Sequence, residues 1–333
     1  MVIDSKFKGE KMRLLRVLLL SALLTLSTLY PSANSTPTKT LAYLVSDIEI
    51  PFWEIMSRGI KDIAKEYGYT IEVYSAGNTK KTELENTIKA IRSKVDGLII
   101  SPINSSSATT ILKLAKEAKI PVVIADIGTD GGEYLSYISS NNYQGAYEIG
   151  KVLAAKMQSL GWDRDGSVGI IAIPQKRANG KARTQGFIKA MNEANIKRAG
   201  IKQQVNFSKK ETYDFAKELI ANNPKLKAIW LQGSDKYEGA LEAINESGKE
   251  GEILLICFDA EPIFLDLIPQ EVIVGAAMQQ PYLMGEKAFE AMMKYFNGQK
   301  VAKEIELDVL AISKQNIQKM LPTIRRNVLG RKE

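Results

Sequence analysis

Histidine is absent from the 333 residues, and cysteine occurs once, at position 257. Without imidazole there is no Ser-His-Asp triad, no Cys-His nucleophile pair and no HExxH zinc site. With one thiol there is neither an intramolecular disulfide nor a thiolate metal cluster. A surplus of one charge sign is also missing from the body of the chain. The formal net charge is +7, but residues 1–35 hold +3 of it and residues 325–333 another +3, so the remainder carries +1. So even a balance does not make a phosphate-binding surface, and nucleic acid is not expected as a partner. Phosphate and nucleotide loops are missing too. Gly180-Lys181 lacks the flanking residues of a phosphate loop, and Gly128-Thr-Asp-Gly-Gly132 lacks the GxGxxG spacing. No GxSxG occurs, and Asp163-Arg-Asp165-Gly166 has no glutamate where a calcium loop needs one.

What is present begins with an address. Lys6, Lys8, Lys11, Arg13 and Arg16 precede the uncharged run Val17–Leu29, and small residues follow at Ala33 and Ser35. This is the order of a cleavable secretory signal, with an apolar run too short to span a bilayer. Residues 1–35 are expected to be a signal peptide, with Met1 or Met12 as the start. The mature protein is expected to be soluble, periplasmic and monomeric. No cysteine near the cleavage point offers a lipid anchor.

Beyond the leader, short apolar runs alternate with segments of helical period. Leu41–Val45, Thr70–Tyr74, Gly97–Ile100 and Pro121–Ala125 form a first series; helices follow the first three at Phe52–Tyr67, Thr82–Arg92 and Ala108–Ala118. A second series reads Ser167–Ile173, Lys202–Val205, Ala228–Leu231 and Ile253–Phe258; its helices are expected at Lys181–Ala194, Glu211–Ala221, Tyr237–Ser247 and Pro262–Leu267. Runs of Val, Ile and Leu without alternation predict strands covered on both faces. Strand alternating with helix predicts parallel sheets with right-handed crossovers. So many units suit two open α/β sheets better than one core.

Ligands of open parallel sheets bind beyond the carboxyl ends of the strands, which directs attention to the residues found there. Pro51, Phe52 and Trp53 follow the first strand, and Asp126 follows the fourth. Asp259 follows Ile253–Phe258, Arg183 opens a helix after Ser167–Ile173, and Gln279 follows Val272–Ala277. Aromatic faces stack on the C–H faces of sugar rings, and fixed Asp, Arg and Gln groups bond adjacent hydroxyls. Helix capping and core packing are the competing readings for each residue alone.

The segments Ser46–Trp53, Asp96–Pro102, Ile120–Asp126, Arg183–Phe187, Cys257–Asp259 and Gln279–Pro281 together resemble the ribose-binding-protein group of periplasmic solute-binding proteins, the type I binding fold, over residues 39–315. The resemblance implies two similar lobes joined by three crossing strands near Ser140, Gln280 and Asp308, with ligand held as the lobes close. It divides the chain into residues 38–140 plus 281–308 for one lobe, 141–280 plus 309–324 for the other, and a basic tail from 325 to 333. It also places sugar contacts on Phe52, Trp53, Asp126, Arg183, Phe207, Asp259 and Gln279. Four matched positions depart from the group. Ile50, Ser101 and Gly233 stand where asparagines are found, and Ile127 where an arginine follows the aspartate. A hydroxyl that loses its buried partner costs about 1–3 kcal/mol, so these changes are expected to abolish tight ribose binding and to admit a different sugar-like ligand. Tyr74, Tyr137 and Trp230 are either neighbours of the cleft or core.

The implied role is capture of a small solute for the permease of an ATP-binding-cassette transporter. The alternative is delivery of ligand state to a sensor kinase or chemoreceptor. Neither an enzymatic activity nor a cofactor or metal is expected. The arginine with the largest expected effect on affinity is Arg183, with Asp126 and Asp259 as its partners.

Overall fold

The computed structural model of the chain describes residues 39–331; the expected signal peptide lies outside the described residues. Strands form where apolar runs can be covered from both sides. β1 (Thr40–Val45), β3 (Gly97–Ser101) and β4 (Val122–Ala125) are buried along almost their whole length, and β2 (Thr70–Ser75) and β5 (Ser136–Ser140) complete this series. Between them run α1 (Pro51–Glu66), α2 (Lys80–Arg92) and α3 (Ser105–Glu117). Pro51 suits the first turn of α1, where its missing N–H has no helical partner to lose. Trp53, Met56, Ile60 and Ala64 recur on its buried face at three- and four-residue spacing.

A second series follows α4 (Asn142–Ser159): β6 (Ser167–Ala172), α5 (Ala178–Glu193), β7 (Lys197–Gln203), α6 (Lys209–Asn222), β8 (Leu226–Leu231), α7 (Tyr237–Glu246), β9 (Leu254–Phe258), the single turn α8 (Phe264–Leu267) and β10 (Gly275–Met278). Then come α9 (Pro281–Phe296), β11 (Glu304–Leu307), β12 (Leu310–Ser313) and α10 (Ile317–Thr323). Among the described residues the strands make two six-stranded sheets, ordered β11-β5-β4-β3-β1-β2 and β12-β10-β9-β8-β6-β7. All neighbours are parallel except β10 and β12. Apolar clusters cover both faces of each sheet. The α/β architecture expected from the alternation is the one observed.

The chain passes between the sheets three times, at β5–α4, β10–α9 and β11–β12. At the crossovers the Gln280 side chain donates to the Asp308 carbonyl at 2.8 Å and accepts from Asn327 at 2.7 Å. Helix pairs flank the sheets at backbone distance. A Cβ added at Gly59 of α1 would lie 2.3 Å from the Tyr282 carbonyl of α9, and one at Gly186 of α5 2.1 Å from the Tyr143 carbonyl of α4. Only glycine permits these approaches.

Several expectations need correction. The strand expected at Lys202–Val205 occupies Lys197–Gln203. It is an edge strand whose exposed Lys197 and Arg198 hide its start from an apolar-run criterion. The strand expected at Val272–Ala277 spans Gly275–Met278, and the helix expected after Pro262 is one turn. The segment expected as a basic tail continues the fold: Ile324–Val328 forms a π turn. Ile324, Val328 and Leu329 are buried in the second sheet's core. Across the hinge, Arg58 of α1 donates to the carbonyls of Leu329 and Gly330 at 3.0 and 3.1 Å, and Arg326 forks onto Glu286 of α9 at 2.6 and 2.8 Å.

Candidate functional site

Two aspartates define the site, one at the carboxyl end of a strand in each sheet. Asp126 follows β4 and Asp259 follows β9, with left-handed φ of 66° and 69°. Their N–H groups donate to carbonyls of neighbouring strands, Ile138 at 2.9 Å and Ala277 at 2.8 Å. That backbone conformation costs a non-glycine residue on the order of 1 kcal/mol. Here strand pairing holds it at the same place in both halves.

Burial pushes the Asp126 carboxyl up to about 6. Arg183 works against that, Asp259 adds to it, and Arg177 and the Asn179 side chain also hold it down. Asp126 is 3% exposed and Gln279 2% exposed; Asp126 Oδ1 and Gln279 Oε1 have no hydrogen-bond partner among the described residues. Unpartnered buried acceptors are uncommon, because each forfeits a hydrogen bond to water.

Arg183, on the first turns of α5, is 3% exposed. Its Nε donates to Asn142 Oδ1 at 2.8 Å; one terminal nitrogen donates to the Gln232 carbonyl at 2.7 Å and to Asp259 Oδ2 at 3.3 Å. The guanidinium lies 3.9 Å from the Phe258 ring centroid. Asp259 also accepts from Gln279 at 2.6 Å. Burial raises its carboxyl from the ordinary range, Arg183 and Gln279 oppose the rise, and Asp235 strengthens it. Of the two partners expected for Arg183, Asp259 touches it, whereas Asp126 acts on it through charge.

The other expected residues divide. Phe207, at φ 53°, sits in a loop bound by the Glu211 carboxylate, which accepts the N–H groups of Val205, Asn206 and Phe207 at 2.8–3.0 Å. The Ser208 hydroxyl caps α6, accepting from the Glu211 N–H at 3.0 Å, so the helix start and the Glu211 carboxylate together fix the loop that carries the ring. Trp53 is buried in the first sheet's core, with its ring 4.9 Å from Phe52 in an edge-on arrangement. Ile50 and Phe52 are half-buried against that cluster. The Ser101 hydroxyl is engaged with Tyr43 Oη at 3.0 Å. A Cβ added at Gly233 would make an ordinary contact with Asp235 Oδ1 at 3.6 Å, without a clash. Ile127 is core. Trp230 is fully buried and stacked on Phe187 at 3.9 Å, Tyr74 bonds Glu72, and Tyr137 donates to the Asp126 carbonyl at 2.8 Å.

Three polar groups were not singled out in the sequence. Arg177 and Asn179 open α5, and Gln232 ends β8, where it is fully buried and donates to Thr184 at 2.6 Å. The strand-end criterion reaches Gln232, which directly follows Leu231, and could have found Arg177 and Asn179 had all of residues 174–179 been taken. Glu261, two residues beyond Asp259, accepts from Ser234 at 2.7 Å. Burial pushes its carboxyl up to about 7; Ser234 opposes, and Asp235 and Asp259 reinforce. A hollow of about 430 Å³ edged by Lys119, Pro121, Tyr134 and Tyr295 lies at the opposite end of β4 from Asp126.

Residues 41–300 match the family described as periplasmic binding protein domain. The chain is 29% identical over 268 residues to the ribose import binding protein of Bacillus subtilis, covering 80% of this chain and 84% of that one. It is 22% identical over 293 residues to the D-allose-binding periplasmic protein of Escherichia coli, covering 85% and 92%. A carbohydrate transporter solute binding protein from Agrobacterium radiobacter, solved with D-arabinose, superposes with a TM-score of 0.80 at 21% identity, covering 88% of this chain and 100% of that one. Two wound sheets, three crossovers and a match spanning most of the chain lead to one statement: the protein belongs to the periplasmic binding protein family.

Proposed function

We propose that the chain is the periplasmic sugar-binding component of an ATP-binding-cassette importer, exported by residues 1–35 as a cleavable leader. Residues 38–140 plus 281–308 and residues 141–280 plus 309–324 act as two lobes that close on ligand by rotation about the crossovers near Ser140, Gln280 and Asp308. The observation that carries this reading is the convergence of Asp126 and Asp259, from different sheets, on a site with the free acceptors Asp126 Oδ1 and Gln279 Oε1. Ring hydroxyls donate to those acceptors, and the guanidinium groups of Arg183 and Arg177 donate to ligand oxygens. Phe52 and Phe207 offer apolar faces. The names of the relatives support a sugar and an importer. The relatives are named as binding proteins, and a cleft so arranged binds and releases its ligand.

The test is thermal unfolding of the mature protein with D-ribose, D-allose, D-arabinose, L-arabinose, D-galactose and D-glucose. One or more should stabilise it by about 2.7 kcal/mol at a hundredfold excess over Kd. No shift with any sugar at 10 mM would overturn the sugar reading.

A further inference from the structure

We propose that Arg177 bridges the two lobes directly and holds them closed even before ligand arrives. The inference rests on the closing motion described above and goes beyond it, because it assigns part of closure to the protein itself.

Two arginines meet the site, Arg183 buried and Arg177 half-buried, and they differ in what they hold. The hydrogen bonds of Arg183 run to Asn142, Gln232 and Asp259, all on elements of the second sheet. Arg177 also springs from that sheet, in the turn between β6 and α5, but its Nε donates to the Ile103 carbonyl at 3.1 Å, in the loop after β3 of the first sheet. The amide of the same Ile103 donates to Glu83 Oε1 at 2.7 Å, so a buried carboxylate of α2 pins the residue that Arg177 grips. Behind it the guanidinium carbon lies 5.2 Å from the Phe207 ring centroid, on its own side of the cleft. Asp126 and Glu83, both of the first lobe, are the carboxylates whose charge acts on Arg177.

The arrangement is a planar cation backed by an aromatic face, donating to one carbonyl of the opposite lobe and lying in the field of two of its carboxylates. Rotation of the lobes would break the bond to Ile103 and draw the cation away from both carboxylates, and Asp126 would lose a counter-charge that Ile127 beside it does not supply. A charge-assisted hydrogen bond at a partly buried site shifts an equilibrium by about tenfold or more. Arg177 is therefore a positioning residue. It sets how much of the unliganded protein is already closed, and hence how much binding energy the ligand must provide for closure.

The experiment uses spin labels at Lys81→Cys on α2 and Lys210→Cys on α6, both exposed positions. Cys257 is buried and stays unlabelled. Dipolar distances are measured without sugar. Arg177→Met should lower the ratio of short to long distances about tenfold or more, and Arg177→Lys, which keeps the charge but not the planar fork, should fall between. Circular dichroism and the melting temperature confirm that the variants are folded. A distance distribution in Arg177→Met indistinguishable from that of the unsubstituted protein overturns the proposal. Sugar-induced melting shifts are read separately on both proteins. If they persist while the distances do not respond to Arg177→Met, the bridge fails and the receptor reading stands; if the distances respond but no sugar binds, the bridge stands and the ligand class fails.

Discussion

Removing the Arg183 guanidinium while keeping the length of its stem, as Arg183→Met, isolates what the buried cation contributes. Three hydrogen bonds disappear, to Asn142, the Gln232 carbonyl and Asp259, together with the contact on the Phe258 ring. Asn142 Oδ1 and the Gln232 carbonyl then lose donors in a place water does not reach freely. Asp259 keeps only Gln279. Breaking one side of a buried ion pair costs about 3–5 kcal/mol, because an uncompensated charge stays behind. At an unfolding entropy near 2.1 cal/mol/K per residue, a chain of 333 residues loses about 1.4 °C per kcal/mol, so the melting temperature should fall by about 4–7 °C. The double substitution with Asp259→Asn removes the stranded charge and should recover at least about 1 kcal/mol, a coupling read from a double-mutant cycle. Differential scanning calorimetry at pH 7 measures both. A fall of less than about 2 °C in the single variant, or strict additivity in the double, would refute the account of Arg183 as the cation that holds this end of the second sheet. In folded variants the sugar affinity should fall by about 30-fold or more.

Asp126 and Glu261 are held above the ordinary carboxylate range, up to about 6 and about 7. The folded protein therefore keeps protons that the unfolded chain releases, and the stability these groups contribute is fully present below about pH 4 and is lost as pH rises through 6 and 7. Denaturant unfolding from pH 4 to 7 should show Asp126→Asn gaining on the unsubstituted protein as pH rises, by about 2–3 kcal/mol at pH 7; a constant difference would contradict it. At the other lobe, Gly233→Asn can place its Cβ without a clash. It should leave the melting temperature within about 2 °C and raise affinity for the best sugar of the thermal panel up to about tenfold, one hydrogen bond's worth. Calorimetric titration showing no gain would mean that position 233 does not face the ligand.

The fold could be read from the sequence because fully buried strands such as Val122–Ala125 and Leu254–Phe258 are unbroken apolar runs. The start of β7 escaped because an edge strand is half solvated and Lys-Arg-Ala-Gly does not look like a buried run. The aspartates were legible by position alone, since each ends a strand. Arg177 was not, because its role depends on Ile103 and Glu83, which are 74 and 94 positions away in sequence and come near only when two sheets face each other. Ser101 and Trp53 show the converse. Their residue types suit a sugar site, yet Tyr43 takes the hydroxyl and the core takes the indole. Composition does not reveal which neighbour claims a polar atom.

The threading of the first sheet sets an order of events at birth. Its edge strand β11 pairs with β5 through Glu304↔Tyr137 to Leu307↔Ser140, and α9 inserts Met284, Ala288, Phe289 and Met292 into its core. Everything else in that sheet is made by residue 140, so the nascent half waits for the chain to reach residue 307. At about 5–20 residues per second the wait is roughly 8–35 s, during which an apolar face and an unpaired strand edge stand open. Contacts of such long sequence separation also form slowly once available. The first core begun is closed by α9, a helix made only after the whole second series of strands from β6 to β10.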